Sequence, residues 1–133
     1  MADTPRARPM SPHLTVWRWH ITMATSILHR ATGVALYGGG LIAAAWALSL
    51  AAGPETYGAF QSLLGSLLGR LVLFGLTASI FFHLATGVRH LVWDLGYGLE
   101  LKSANASSIT VFAFTLVATL VVWAIAALSG ALG

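Results

Sequence analysis

The sequence predicts an all-α membrane protein, with three transmembrane helices that follow a short N-terminal segment outside the bilayer. Only 8% of the 133 residues are charged and 57% are hydrophobic, whereas an ordinary soluble domain carries roughly a quarter charged residues. The mean hydropathy is +0.80. Three apolar runs, residues 31–52, 71–93 and 108–129, each come close to the ~20 residues that carry a helix across ~30 Å of hydrocarbon.

The chain reads as one membrane-anchor domain, with residues 1–21 as the N-terminal segment and helices over approximately 22–52, 66–93 and 106–130. The first span has a polar entrance over residues 22–30. Its interior Gly38-Gly39-Gly40 suits close helix packing, because no strand precedes it to build a phosphate loop. A turn-rich segment, residues 53–58, follows, and then an amphipathic stretch, residues 60–70, in which the second span begins. Residues 94–106 connect the second and third spans and hold Gly96, Gly98, Glu100, Lys102 and Asn105. Neither connection has room for a soluble domain, and no repeat of useful period is present.

Orientation follows from the basic residues. Arg6, Arg8, Arg18 and Arg30 flank the start of the first span, Arg89 and Lys102 are assigned to the second connection, and Arg70 alone sits near the first. This bias predicts a cytoplasmic N-terminus, with Trp17, Trp19 and Trp93 at the same interface. The stretch before the first apolar run is too long for a signal-peptide n-region and the run itself is too long for an h-region, so no cleavage is expected after Ala51-Ala52-Gly53.

Composition also excludes chemistries. With no cysteine, disulfides, thiolate zinc sites and iron–sulfur clusters held by this chain are ruled out. The net charge of +3 is spread over helix ends without interleaved aromatics on a polar face, so it reports topology and not nucleic-acid binding. Candidate chemistry therefore lies with ionisable residues inside the spans, where a charge costs about 2.5–3.5 kcal/mol even on lenient insertion scales. The first span offers His29 and Arg30, and the second offers His83, Arg89, His90 and Asp94; the third has none.

His83 lies near the middle of the second span. Gly87, His90 and Asp94 follow on the same helical stripe. A deep imidazole with a glycine beside it suits a flat, bulky cofactor such as haem; the competing reading is a histidine hydrogen-bonded to a hydroxyl on a neighbouring helix. His90 and Asp94 lie nearer the interface, where solvation or capping is the default. On the first span Ser26, Arg30, Gly33, Tyr37 and Gly40 recur at alternating spacings of four and three. A hydroxyl and a guanidinium at the edge of an apolar cavity suit a carbonyl or anionic oxygen, as on a quinone or a haem propionate. Snorkelling of Arg30 to lipid phosphates is the alternative.

Three segments carry a family resemblance: Arg8-Pro9-Met10-Ser11-Pro12-His13-Leu14, then Ser26-Ile27-Leu28-His29-Arg30-Ala31-Thr32-Gly33, then His83-Leu84-Ala85-Thr86-Gly87-Val88-Arg89-His90-Leu91-Val92-Trp93-Asp94. In order and position they closely resemble the cytochrome b556 subunits of succinate dehydrogenase, over nearly the whole chain. Trp17 and His20 depart from the family pattern without touching these motifs.

The resemblance implies a membrane anchor in a heteromeric helix bundle. It implies haem b with His83 as an axial iron ligand, quinone contacts at Ser26 and Arg30, and haem-propionate or quinone-edge contacts at His29 and Arg30. It also implies proton supply at Asp94 and ubiquinone as substrate. The expected partners are a flavoprotein subunit, an iron–sulfur subunit, a second small membrane anchor and membrane lipids, and the expected location is a bacterial inner membrane. The chain has neither a dinucleotide fingerprint nor cysteines, so succinate oxidation would belong to partners. Residues 11–13 would suit docking to one of them. His29 stands nearer the interface than His83 in the sequence, which favours a haem shared with another subunit over one held between these two histidines. Two other classes stay open at this point: a fumarate reductase anchor, and a non-redox transporter with Arg30, His83 and Asp94 as a proton path.

Overall fold

A computed structural model describes residue 10 and residues 14–132. Residues 11–13, proposed for docking, and Arg6 and Arg8 lie outside the described residues. A single turn over Leu14–Val16 leads to four helices: α1 (Ile21–Ala51), α2 (Pro54–Gly65), α3 (Leu67–Asp94) and α4 (Leu101–Leu128). Of these, α1, α3 and α4 are long and apolar enough to cross a membrane.

The start of α1 is set by His20. Its extended backbone and Nδ1, which accepts from the Thr22 N–H at 3.4 Å, cap the first turn. The helix then runs unbroken through the polar entrance for 31 residues, about 46 Å at 1.5 Å per residue. That exceeds the hydrocarbon thickness by several turns, so its first turns rise toward the interface.

The first connection differs from the sequence expectation. Residues 54–65 form a helix of their own where a turn and the beginning of the second span were expected. Gly53 takes φ 111 and Pro54 occupies the first helical turn, where its fixed φ and missing N–H do no harm. The α2–α3 corner turns at Ser66, whose hydroxyl accepts from the Gly69 N–H at 3.1 Å. A Cβ at Gly69 would collide with the Leu63 and Leu64 carbonyl oxygens, so this corner requires glycine.

The second connection is shorter than expected, because α4 begins at Leu101 and not near residue 106. Gly96 and Gly98, with φ of 84 and 72, reverse the chain within residues 95–100. The Trp93 indole N–H donates to the Gly98 carbonyl at 3.1 Å and closes the loop. Arg89, counted with the basic residues of this connection although it falls within the second span, is buried inside α3. Setting it aside leaves the direction of the basic bias unchanged.

In the bundle, α3 packs against both α1 and α4. Among the described residues, the buried hydrophobic side chains are Phe82, Ala104 and Val111, beside buried Thr25, Ser49, Thr86, Arg89, Ser108 and Thr119. Small hydroxyl residues let helices approach closely where lipid removes the hydrophobic drive between them. Aromatic pairs hold α3 to α4 further along, with Phe82 against Phe112 at 5.4 Å and Phe81 against Phe114 at 5.9 Å. Of the three successive glycines in α1, only Gly39 faces a neighbour, with a Cβ there meeting Leu76 at 3.0 Å. Most large apolar side chains point outward, as expected of a chain covered by lipid and other subunits.

Candidate functional site

Where α1 crosses α3, three imidazoles stack. The His29 ring lies 4.2 Å from that of His83 at an interplanar angle of 26°, and 5.0 Å from that of His90 at 25°. His90 in turn meets the Trp93 ring edge-on at 5.5 Å. His29 and His83 thus share one depth, which corrects the expectation that His29 stands too near the interface. The register between antiparallel α1 and α3 decides this, and counting residues inward from each apolar run does not capture it. Stacked face to face at 4.2 Å, the two rings leave no space between them for a metal ion.

The surroundings of His83 define its tautomer. Its Nδ1 lies 3.2 Å from the His29 carbonyl oxygen and 3.2 Å from the Thr32 hydroxyl oxygen. A carbonyl can only accept, so the proton sits on Nδ1 and the lone pair on Nε2. Histidines that bind metal through one nitrogen nearly always anchor the other in this way. Gly33 clears the space beside the ring, since a Cβ there would meet His83 Cε1 at 3.2 Å. The glycine that makes room for the imidazole is therefore Gly33 on the opposite helix, whereas Gly87 meets nothing within 4 Å.

These observations fit an axial haem ligand at His83: a half-buried imidazole, an anchored Nδ1, a lone pair on Nε2 and a glycine beside it. Among the described residues, no three His, Asp or Glu side chains converge as ligands of one metal ion. The triple stack is thus one candidate ligand with two companions. We expect Thr32→Val, which removes one acceptor from Nδ1, to weaken haem retention by about 10–100-fold, the usual effect of losing an outer partner of a metal-bound histidine. Titration of haem release with the complex intact checks it.

Ser26, Arg30 and Asp94 lie apart from the stack. All three are exposed: Ser26 and Arg30 on the outward face of α1 with Val34 and Tyr37, and Asp94 as the last residue of α3. Ser26 and Arg30 flank His29 in sequence and emerge near its level on the outward face. Gly33 does not share that face, because it turns inward to His83.

The sequence reading missed a second polar centre beside the stack. Arg89 is 7% exposed. Its Nε donates to the Ser107 hydroxyl at 2.9 Å, one terminal nitrogen to the Thr25 hydroxyl at 3.2 Å and the other to the Ala104 carbonyl at 3.0 Å. The guanidinium carbon sits 3.9 Å from the centroid of the Trp93 ring. Thr25 also lies 3.4 Å from the Ser108 hydroxyl, so this one side chain ties α1, α3 and α4 together. The available signal was an arginine inside an apolar run with hydroxyl residues on the other two spans. His90 is exposed, as the default reading of solvation expects, and donates from Nδ1 to the Thr86 carbonyl of its own helix at 2.7 Å.

Comparison with known proteins gives a consistent picture. Residues 4–122 match the family of succinate dehydrogenase/fumarate reductase transmembrane subunits. The chain is 38% identical over 118 residues to the succinate dehydrogenase cytochrome b556 subunit of Paracoccus denitrificans, covering 88% of this chain and 91% of that one. It is 36% identical over 116 residues to the b556 subunit of Rickettsia felis, covering 87% and 90%. It is 38% identical over 117 residues to the mitochondrial cytochrome b560 subunit of Sus scrofa, covering 84% and 68%.

Proposed function

The chain belongs to the succinate dehydrogenase/fumarate reductase transmembrane subunit family, and on that premise we propose how it serves as the cytochrome b membrane anchor of that complex. His83 would hold a b-type haem through Nε2, and another small membrane subunit would supply the other iron ligand. When bound, that haem supplies a one-electron acceptor and donor within the membrane. The observation that carries this reading is the anchoring of His83 Nδ1 by the His29 carbonyl and the Thr32 hydroxyl.

The remaining residues divide the work. The Thr32 hydroxyl and His29 carbonyl keep the His83 ring in one tautomer and one orientation. Arg30 reaches a haem propionate or the quinone edge, as does the His29 ring, while Ser26 and Arg30 donate to a ubiquinone oxygen. A fixed guanidinium at that oxygen stabilises the negative charge that develops as the quinone is reduced. Asp94, exposed at the end of α3, takes protons from the aqueous side and passes them toward that oxygen. The first turns of α1 and the α3–α4 connection face the cytoplasm of a bacterium, where flavoprotein and iron–sulfur subunits dock. Lipid and the second anchor subunit cover the apolar outer faces.

Purification through a tag on this chain, with identification of what copurifies and assay in both directions, tests the reading. Recovery of a flavoprotein, an iron–sulfur protein and a second small membrane subunit, with succinate-driven ubiquinone reduction, supports it. Quinol-driven fumarate reduction exceeding the succinate reaction would reassign the chain to a fumarate reductase, the other branch of the same family. Recovery of the chain without those subunits would contradict it.

A further inference from the structure

We propose that Arg89 is a fixed cation, held by neutral partners among the described residues, that raises the reduction potential of the haem held by His83, an inference that rests on the functional reading above. Arg89 follows His83 by six residues on α3 and directly precedes His90, which places it about 9 Å from His83 along the helix axis. Its three acceptors, Ser107, Thr25 and the Ala104 carbonyl, are all neutral. The nearest acid in α3, Asp94, is exposed at the helix end and is none of these acceptors.

An arginine side chain keeps its charge inside proteins. Burying an ion among neutral partners carries a desolvation penalty, and no carboxylate among the described residues pairs with Arg89 to offset it. If clamping the helices were all that Arg89 did, a neutral amide could supply donors to two of the same acceptors without that penalty. What the amide could not supply is the field. At 7% exposure, with the Trp93 ring over the guanidinium, the charge is poorly screened, so an added electron nearby is favoured. Removing or neutralising the charge then lowers the potential, whether or not the clamp survives.

Redox potentiometry of the haem in the purified complex separates field from clamp. Arg89→Gln removes the charge and is expected to lower the midpoint. Ser107→Asp sets a carboxylate against Arg89 Nε, neutralising the charge while the helices stay tied, and is expected to lower it too. Ser107→Asn, similar in shape but neutral, is expected to leave the wild-type midpoint unchanged. If Arg89→Gln fails to assemble, the two Ser107 variants decide alone. Equal midpoints for Ser107→Asp and Ser107→Asn would overturn the proposal and leave the functional reading standing. A wild-type complex without a b-type haem would overturn the functional reading itself, and this inference with it.

Discussion

Replacing His83 with alanine is expected to abolish the b-type absorbance of the complex while this chain remains in the membrane. A b haem engaged in electron transfer has two axial ligands. His83 is the imidazole here whose Nδ1 is held by a carbonyl and a hydroxyl on a second helix. Loss of an outer partner alone costs about 10–100-fold in metal affinity, so loss of the ligand should exceed that. The span itself should persist, because α3 keeps its apolar length and its contacts through Phe82, Thr86 and Arg89. His90→Ala provides the contrast: His90 anchors to the Thr86 carbonyl of its own helix, so its loss should leave the haem in place. Bleaching by His90→Ala with haem retained in His83→Ala would move the ligand to the other ring.

The second large effect is expected at Arg30. A hydrogen bond to a charged group is worth about 1.5–3 kcal/mol, so Arg30→Ala should lower kcat/KM for ubiquinone by roughly 10–150-fold. Ser26→Ala removes a neutral donor worth about 0.5–1.5 kcal/mol and should lower it by roughly 2–10-fold. Both residues are exposed on the outward face of α1, away from the Arg89 clamp, so neither change opens the bundle. Succinate oxidation with an artificial acceptor, which bypasses the quinone, should be spared in both variants. Equal loss of both activities in Arg30→Ala would assign that residue to assembly.

Much of this architecture is legible in the sequence. The three spans follow from hydropathy, because a lipid environment leaves helices as the way for such runs to satisfy their backbone polar groups. The candidate residues follow from the expense of ionisable groups in hydrocarbon. What stays hidden is the register between helices. The sequence shows His83 and His29 but not that antiparallel α1 and α3 bring them to 4.2 Å, nor that Gly33 rather than Gly87 faces the ring. The sequence shows Arg89 near the end of the second span but not that it is buried there. Its hydroxyl partners on α1 and α4 lie far from it in sequence, and no local pattern announces them. The separate α2 was hidden as well, since Gly53-Pro54 marks a turn and the start of a helix equally well.

The most direct measurement is a dithionite-reduced minus oxidised spectrum of the complex purified under mild conditions through a tag on this chain, alongside the spectrum of the parent membranes. The account predicts b-type bands that copurify with the chain and vanish in His83→Ala. A chain recovered with its partners but without those bands, from membranes that also lack them, would contradict it.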